Sequence, residues 1–418
     1  MSRLIIEGNH RLNGVVNIHG AKNSALPVLA ATLLARGKSE IHNCPMLTDV
    51  AASVRILRYL GCSVSRSNGC ITVDSIGLNR SDIPDNLMRE MRSSIVFLGA
   101  IAARTGEAHI SFPGGCELGT RPIDLHLSAL RQLGMEILEE RGRLECRVPG
   151  RLKGTTIALS FPSVGATENI LLASVTAEGT TSILNAAREP EITDLCNYLT
   201  RCGARIAGAG ESAITIEGVD ALYGCSHTVI PDRIETATYM AAAAITGGSL
   251  VLNNICPEHI ATVIPTFEEA GCRIDCKKNE LLIKAPQRLQ RIRSIRTMPY
   301  PGFPTDAQAP TMAMMCVADG TSVFVENIFE SRFKHASELM RLGAKIKIEG
   351  RVAIVEGVPR LSGAQVKCTD LRGGAALVIA GLAAEGTTEV LELHHIDRGY
   401  DNFEQNLRNT GAVIQRLD

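Results

Sequence analysis

The stretch LMRLGAKIKI, residues 339–348, decides how this chain folds. It predicts a short helix, a turn centred on Gly343 and a strand that follows directly. Five other segments have the same arrangement: ILRYLGCSVS (56–65), ALRQLGMEIL (129–138), YLTRCGARIA (198–207), TFEEAGCRID (266–275) and NLRNTGAVIQ (406–415). Because their glycines recur about every 70 residues, we infer six copies of one structural unit.

A second shared part lies upstream of these segments. It consists of an alanine-rich apolar helix, a glycine turn and a β-branched strand, as in 166–185, 237–254 and 375–393. In the last of these the apolar residues run continuously, which predicts a helix buried on most sides. The glycine turn that follows suits a helix C-terminus and a turn into an edge strand. Each unit is therefore predicted to be helix–strand–helix–strand, with further short strands.

Six units in 418 residues favour two similar lobes of three units each. One continuous α/β solenoid is the alternative, and the absence of capping repeats makes it less favoured. Two lobes would leave a cleft between them. Helix N-termini directed into that cleft would form a surface that binds anions.

Composition limits the classes of function. Lys and Arg number 43 against 44 Asp and Glu, so the net charge gives no general attraction to nucleic acid or anionic lipid. The N-terminus lacks a signal-peptide core and no apolar run has the length of a membrane span, which predicts a cytoplasmic protein. The 13 cysteines include no C-x-x-C pair, so neither a disulfide framework nor a zinc site is expected.

Two loops that depart from the repeat contain the first candidate site residues. In HGAKNSALP (19–27), Lys22 precedes an apolar helix, where a cation and exposed N–H groups can bind phosphate. A solvated surface lysine explains the same residue equally well. In FPGGCELGTRP (112–122), Cys116 follows two glycines, and Arg121 and Arg92 are plausible neighbouring cations. Cations lower the pKa of a thiol, which favours a nucleophile or a proton donor at this position.

Two further loops offer weaker signals. In FPSVGATEN (161–169), Ser163 and Gly165 suit a phosphate-binding turn or an ordinary helix N-cap. In PGFPTDAQAP (301–310), Asp306 is either a general base or an N-cap, and the cap is favoured on these residues alone. Arginines recur in the loops of successive units, which suggests that the chain handles polyanions. These are Arg188, Arg233, Arg332, Arg372 and Arg398. No motif argues for NAD or ATP.

Seven motifs, in order along nearly the whole chain, carry a specific resemblance. They are GAKNSALP (20–27), PGGCELGTRPIDLH (113–126), SVGATEN (163–169), AAREPEI (186–192), PDRIETAT (231–238), FPTDAQA (303–309) and IDRGY (396–400). They resemble the UDP-N-acetylglucosamine 1-carboxyvinyltransferase family of enolpyruvyl transferases. The resemblance implies an inside-out α/β barrel of two lobes, with three repeats in each. Residues 22–230 would form the lobe with the cysteine loop, residues 1–21 and 231–418 the other, and the active site would occupy the cleft.

The resemblance also implies a reaction and its residues. The enolpyruvyl group of phosphoenolpyruvate would pass to the 3′-hydroxyl of UDP-N-acetylglucosamine, with release of phosphate, in the first committed step of peptidoglycan synthesis. Cys116 would protonate phosphoenolpyruvate and Asp306 would be the base near the hydroxyl. Phosphoenolpyruvate contacts would come from Lys22, Asn23, Arg121, Arg398 and Cys116. Sugar-nucleotide contacts would come from Asn23, Arg92, Arg121, Pro122, Ile123, Asp124, Leu125, Ser163, Val164, Gly165, Asp306 and Ile328.

The remaining expectations concern partners and alternatives. The resemblance implies no cofactor, no metal and a monomer or weak oligomer, with the epoxide fosfomycin as an inhibitor at Cys116. Phe161 and Pro162 stand where other members have Lys-Val, which removes one uridine contact. Transfer to shikimate 3-phosphate is the first alternative, although that enzyme has no comparable cysteine loop. A silent UDP-sugar sensor is the second, and a redox or zinc protein is the third.

Overall fold

The computed structural model describes residues 2–113 and 123–417, which form two compact units. Residues 2–19 and 231–417 belong to one unit, and residues 20–113 and 123–230 belong to the other. Each unit has its own hydrophobic core, built mainly from alanine, leucine, isoleucine and valine. No helix in the described part of the chain has the length and apolar character needed to cross a bilayer.

Within residues 2–113 and 123–417, six four-stranded sheets repeat one topology, three in each unit. In each sheet the first strand is parallel to the second. The second and third strands are antiparallel, as are the third and fourth. In unit 20–230 the strands in this order are Ser226–Thr228, Lys38–His42, Cys70–Asp74 and Ser63–Ser67; Asp82–Ile83, Glu107–Ser111, Arg143–Arg147 and Glu136–Glu140; Thr156–Ala158, Thr180–Leu184, Ala213–Glu217 and Arg205–Ala207.

The unit that contains both chain ends has the same three sheets. In the same order the strands are Asn13–Asn17, Ser249–Asn253, Glu280–Lys284 and Arg273–Lys277; Ser294–Arg296, Thr321–Val325, Val352–Glu356 and Lys345–Glu349; Gln365–Lys367, Thr387–Leu391, Arg3–Glu7 and Val413–Leu417. Each unit also has one parallel pair of two-residue strands. These pairs are Ala35–Arg36 with Leu222–Tyr223, and Ala384–Glu385 with Leu361–Ser362.

The strands that follow the alanine-rich helices are internal, so the expectation of edge strands was wrong. Thr387–Leu391, for example, pairs in parallel with Gln365–Lys367 and antiparallel with Arg3–Glu7. The sequence signal missed this because the parallel neighbour comes from the preceding repeat. In each sheet a strand of two to five residues pairs with the free edge of the strand that follows the alanine-rich helix, and thereby makes that strand internal.

Helices fill the inside of each unit and the sheets lie outside them. The buried helices are Lys22–Ala31, Phe97–Thr105, Val164–Ser174, Arg233–Ile245, Thr305–Met315 and Leu371–Ala383. In Leu371–Ala383 eleven successive residues from Arg372 to Leu382 are buried, which agrees with the continuous apolar run. The last three of these helices contact one another, so their side chains form the centre of that unit's core.

Helices of more mixed polarity precede the six glycine turns. They are Thr48–Tyr59, Asp124–Gln132, Pro190–Arg201, Ile264–Glu269, Ala336–Arg341 and Phe403–Asn409, and Asp85–Glu90 is an additional helix. Single 3₁₀ turns occur at Arg92–Val96, Pro257–Ile260 and Leu393–Arg398. The predicted glycines Gly61, Gly134, Gly203, Gly271, Gly343 and Gly411 all have φ between +92° and +109°. A side chain is strained in this left-handed region, which explains why glycine recurs there.

Candidate functional site

Lys22 is the first residue of the buried helix Lys22–Ala31 and is itself only 7% exposed. Its Nζ lies 2.7 Å from Oδ2 of Asp49, which is in the first turn of the neighbouring helix Thr48–Tyr59 and is 2% exposed. Of the two interpretations of Lys22, the solvated surface lysine is therefore wrong. A buried cation held by one carboxylate has a fixed position, as an anion-binding group requires.

A second buried network supports the same helix start. The Ser24 hydroxyl donates to Oδ2 of Asp194, and Oδ1 of Asp194 lies 3.1 Å from Nε2 of His227. All three side chains are buried, whereas Asn23 between Lys22 and Ser24 is half-buried. These buried contacts fix the position of the helix start, and the half-buried Asn23 side chain remains partly accessible to a ligand.

Ser163 is the N-cap of the buried helix Val164–Ser174, and its Oγ accepts a hydrogen bond from Ala166 N at 3.3 Å. Gly165 lies so close to His126 that a Cβ would be 2.8 Å from its Cε1. Real Cβ atoms essentially never approach so closely, so a side chain at position 165 would have to displace the His126 ring. Glycine at this helix start therefore allows the close approach of His126.

His126 joins three predicted sugar-nucleotide segments. Asn169 donates from Nδ2 to Nδ1 of His126 at 3.0 Å, while its Oδ1 accepts from Gly99 N at 2.8 Å. Burial, and then the charge of Arg92, lower the pKa of His126 to about 4, so the ring is neutral near pH 7. Arg92, which begins a 3₁₀ turn, is therefore near His126 and Gly165.

The adjacent helix start brings the remaining described residues of this group together. Ile123 is buried directly before the helix Asp124–Gln132, Asp124 is exposed and Leu125 is half-buried. Asp124 and Leu125 share the first turn of that helix with His126, which contacts Gly165.

Asp306 lies in the first turn of the buried helix Thr305–Met315, whose N-cap is Pro304, so the interpretation of Asp306 as an N-cap was wrong. Its Oδ1 accepts from Arg332 Nη2 at 3.0 Å, and its Oδ2 lies 3.3 Å from Arg372 Nη2. Both arginines are 2% exposed. The two buried arginines orient the Asp306 carboxylate, and because its side chain is 28% exposed it remains accessible to a ligand.

Arg372 is the most deeply placed cation of this cluster. Burial opposes its charge, but the neighbouring Tyr400 and Asp306 outweigh burial and raise the pKa of its guanidinium. The guanidinium lies 5.2 Å from the centre of the Tyr400 ring. Asp370 caps the helix Leu371–Ala383 by accepting from the backbone N–H groups of Arg372 and Gly373, each at 3.0 Å. Burial would raise the pKa of Asp370, but Arg332 and these N–H groups hold it below its usual value.

Ile328 and Arg398 belong to the same unit. Glu326, which is 1% exposed, accepts from Ile328 N at 2.8 Å and from the hydroxyl of Thr305 at 3.0 Å. Ile328 is thereby linked to the start of the helix that contains Asp306. Arg398 is half-buried at the end of the 3₁₀ turn Leu393–Arg398.

Three predicted site residues, Cys116, Arg121 and Pro122, lie outside the described residues. The other predicted residues form two groups, one in each unit. In unit 20–230, Arg92 and Gly165 lie near His126, and Lys22 and Asn23 begin a separate helix; in the other unit, Ile328 is linked through Glu326 to the helix of Asp306. Within the described ranges, no group of three or more His, Cys, Asp or Glu side chains is arranged to hold a metal ion.

Several residues of these networks were not predicted individually. His126 and Asn169 lie inside the motifs that carry the resemblance, and their motif positions were the available signal. Arg332 and Arg372 were noted only as members of the recurring arginines. Asp49, Asp194 and Glu326 gave no signal, because single carboxylates within a helix or at a strand end are common in any helix–strand protein.

Comparison with known proteins decides the family of this fold and site. A family model described as EPSP synthase (3-phosphoshikimate 1-carboxyvinyltransferase) matches residues 6–407. The chain belongs to this enolpyruvyl transferase family. The enolpyruvyl transferase NikO from Streptomyces tendae has a similar structure, with a TM-score of 0.91, 27% identity and coverage of 100% of this chain and 99% of that one. An EPSP synthase from Acinetobacter baumannii, at 20% identity and a TM-score of 0.77 over the full length of both chains, shares the fold.

Three enolpyruvyl transferases are more similar in sequence. A protein named UDP-N-acetylglucosamine 1-carboxyvinyltransferase 2 from Caldanaerobacter subterraneus is 51% identical over 100% of both chains. UDP-N-acetylglucosamine 1-carboxyvinyltransferase 1 from Symbiobacterium thermophilum is 51% identical over 99% of this chain and 95% of its own length. The protein numbered 2 from Carboxydothermus hydrogenoformans is 50% identical over 100% of both. The predicted family is confirmed.

Proposed function

We propose that this enzyme transfers the enolpyruvyl group of phosphoenolpyruvate to the 3′-hydroxyl of UDP-N-acetylglucosamine and releases phosphate, the first committed step of peptidoglycan synthesis. The observation that carries this proposal is 50–51% identity, over essentially full length, to three relatives named for that activity. The two polar groups at the starts of buried helices supply the cations and the carboxylate that the reaction requires.

The reaction is an addition followed by an elimination. In the addition, the Cys116 thiol gives its proton to C3 of phosphoenolpyruvate, the 3′-oxygen forms a bond to C2, and Asp306 takes the hydroxyl proton. The tetrahedral ketal still bears the phosphate. In the elimination, the Cys116 thiolate left by the first step takes a proton from C3, the C2–O bond to phosphate breaks, and the C2=C3 double bond forms again, so that phosphate leaves and the enolpyruvyl ether of the sugar remains.

Positive charge develops at C2 during the addition, beside a carboxylate and a phosphate. Cations stabilise these two anionic groups most effectively when they are already held in position, because no free energy is then spent on reorganising them during the reaction. Lys22, with its ammonium held by Asp49, meets this condition, and we assign it to phosphoenolpyruvate with Asn23, Arg121 and Arg398. Arg332 and Arg372 act on Asp306 as positioning residues, since they orient both of its carboxylate oxygens.

Sugar-nucleotide binding is assigned to the group around His126. Ser163, Val164 and Gly165 present a helix N-terminus to the diphosphate, and Arg92 supplies a cation nearby. The 121–125 segment, Asn23, Asp306 and Ile328 complete the assignment. The Phe161 side chain is 41% exposed, so we propose that it packs against the uracil where other members use lysine.

The proposed role of Cys116 predicts how the enzyme responds to an inhibitor. Fosfomycin is expected to alkylate Cys116, because a thiol that donates a proton beside cations is also a good nucleophile. Cys116→Asp should keep activity and escape the epoxide, since a carboxylic acid can still donate a proton. Full sensitivity of this variant would refute the role of Cys116.

The proposal also covers the organisation of the molecule. Residues 22–230 would be the lobe with the cysteine loop, and residues 1–21 with 231–418 the second lobe, so that both contribute substrate contacts. A cytoplasmic location follows from the two proposed substrates, and we expect a monomer or weak oligomer.

The test is phosphate release from purified protein given phosphoenolpyruvate with UDP-N-acetylglucosamine, with shikimate 3-phosphate, or with no acceptor. Mass spectrometry of the nucleotide should show the added enolpyruvyl group. Release with the sugar nucleotide alone is the expected result. Release with shikimate 3-phosphate alone, or binding of the sugar nucleotide with no turnover, would replace the proposal by the sister reaction or by a silent sensor.

A further inference from the structure

A cavity in unit 20–230 lies away from the residues assigned to substrates and is lined by three arginines. Its volume is about 170 Å³, and Arg36, Arg104 and Arg151 are among its walls. One water needs about 10–15 Å³ of such space, so the cavity can hold an ion of several heavy atoms. It lies where the buried helices of the unit end, since Arg104 is in the last turn of Phe97–Thr105 and Thr176 follows Val164–Ser174.

Two of these arginines have no anionic partner among the described residues. The guanidinium groups of Arg36 and Arg104 form no ion pair and donate no hydrogen bond to any residue in 2–113 or 123–417. Burial, and then the neighbouring charge of Arg36, lower the pKa of Arg104. Two guanidinium groups with ten N–H donors therefore share the cavity without acceptors from the described chain.

Arginine at a helix C-terminus has a common structural explanation, because it compensates the negative end of the helix dipole. Arg151 fits this explanation. It donates to the carbonyl oxygens of Thr176 at 2.7 Å and Val219 at 2.8 Å, and its Nη1 lies 3.1 Å from Oδ1 of Asp220. The guanidinium groups of Arg36, which is exposed, and Arg104, which is half-buried, make no such bonds and remain available to a ligand.

Three of the other five repeats have a carboxylate at the position of Arg36. The turns AEG (177–179), ADG (318–320) and AEG (384–386) have a carboxylate before a glycine of positive φ, whereas the turn ARG (35–37) has Arg36. In the other unit, Glu385 occupies the same register of a parallel two-residue pair and bonds Arg360 at 3.1 Å. The residue at the position of Arg360 in unit 20–230 is Ala221, which lines the cavity.

Both substitutions act in the same direction. Alanine in place of arginine leaves space, and arginine in place of glutamate reverses the charge beside that space. With Arg36, Arg104 and Arg151 positive and Asp220 negative, the cavity walls carry a net charge of three minus one, which is plus two. A dianion matches this charge, and a tetrahedral oxyanion accepts hydrogen bonds from several guanidinium groups at once.

We propose that this arginine cavity is a binding site for a phosphate dianion, either free or as the phosphate group of a small monoester. The Arg36 and Arg104 guanidinium groups bind the oxygens, and Arg151, fixed by the carbonyls of Thr176 and Val219, forms the floor of the site. None of the residues that line this cavity is among those assigned to phosphoenolpyruvate or to the sugar nucleotide.

The location is tested by soaking crystals of the full-length protein in tungstate, a tetrahedral dianion with a strong anomalous signal. The affinity is tested by calorimetric titration with inorganic phosphate and, separately, with glycerol 3-phosphate. The double variant Arg36→Gln/Arg104→Gln removes both unpartnered charges and keeps side-chain length. Arg143→Gln, an exposed arginine on a strand of the same unit that does not line the cavity, is the matched control.

The expected results are an anomalous peak in the cavity and one binding step that becomes at least tenfold weaker in the double variant but not in Arg143→Gln. Phosphate release in the enzyme assay should persist in the double variant, so this outcome is independent of the proposed reaction. Tighter binding of phosphate assigns the site to the free ion, and tighter binding of the ester assigns it to monoesters. An empty cavity at millimolar tungstate, or equal titrations for all three proteins, would overturn the proposal.

Discussion

The two units repeat one backbone and differ in the charges at the ends of their buried helices. In unit 20–230 the helix starts have the cations Lys22 and Arg92 and a serine cap. In the other unit the corresponding starts have the aspartates Asp232, Asp306 and Asp370. The comparison teaches that the repeat specifies where helices start, and that each unit then uses those starts for different chemistry.

The opposite ends of the helices differ in the same way. The parallel pair beside Glu385 is closed by an ion pair with Arg360, while the pair beside Arg36 opens onto a cavity. Backbone hydrogen bonds form both pairs, so side chains of either charge are accepted at the same register. A substitution at such a position therefore changes the local charge and leaves the backbone pairing intact.

The largest expected effect comes from removing the charge of the carboxylate that distinguishes the second unit. Asp306→Asn should lower kcat about 10²–10⁴-fold, the usual contribution of a general base. Phosphate release at saturating substrates is the measurement. Asp319→Asn, which removes a carboxylate that pairs with Arg288 in the same unit, should keep kcat. If Asp306→Asn keeps more than half of the activity while its melting temperature is unchanged, the assignment of the base is wrong.

The buried pair of the first unit should show its effect in stability. Asp49→Asn leaves the Lys22 ammonium buried without its carboxylate and should cost about 3–5 kcal/mol of unfolding free energy. Urea unfolding of both proteins measures the difference. Glu40→Gln, which removes the exposed partner of Lys38, is the control and should leave the unfolding midpoint unchanged. A midpoint for Asp49→Asn that equals the control would show that Lys22 is solvated.

Each unit has a buried histidine whose pKa is lowered, His126 in one and His335 in the other, which allows a direct comparison by pH. Burial is the largest cause that lowers the pKa of both His126 and His335 to about 4, from 6.5. The unfolded chain then binds more protons between pH 6.5 and 4, so stability is complete above pH 6.5 and falls toward pH 4. The expected loss is about 2 kcal/mol for each histidine at pH 5.

Chemical unfolding at pH 8 and pH 5 measures this loss. His126→Gln and His335→Gln should each reduce the pH dependence, and His10→Gln, at an exposed position, should not. If only one buried variant changes the slope, the two units do not share this property. A slope that is the same in all four proteins would contradict the neutral state of both rings.

The smallest effect is expected from exchanging the charge pattern of the two parallel pairs. Arg36→Glu with Ala221→Arg gives unit 20–230 the ion pair of Glu385 and Arg360 and removes the repulsion with Arg104. It should stabilise the protein by at most about 1 kcal/mol, measured as a small rise in melting temperature in phosphate-free buffer. Glu385→Arg with Arg360→Ala is the reciprocal control and should lower it. A fall with the first exchange would show that the repulsion of Arg36 and Arg104 is negligible.

Much of the fold was predictable because its signals are local. A glycine of φ near +100° after a short helix is needed wherever the chain reverses, and Gly343 and its five equivalents reveal this without a partner. The neighbours of the strand Thr387–Leu391 were not predictable, because its parallel partner is set by the preceding repeat and its antiparallel partner is the N-terminal strand.

The candidate site was predictable only in part. Lys22 and Asp306 stood out because their loops depart from the repeat, but local sequence gave Asp306 the wrong partner, a helix N-terminus instead of two arginines. Arg332 and Arg372 are 26 and 66 residues away from it in sequence. Contacts over such distances depend on how repeats pack, which no pattern of neighbouring residues records.

The sequence by itself determined the sixfold helix–strand repeat, the buried character of the central helices and, through its motifs, the resemblance to a family. These properties follow from φ preferences and hydrophobic periodicity, which act over a few residues. Only the tertiary structure decided that Asp49 holds Lys22, that His126 requires Gly165, and that Arg36 and Arg104 face one cavity. Each of these depends on side chains from different elements meeting in space, where burial and charge fix their energies.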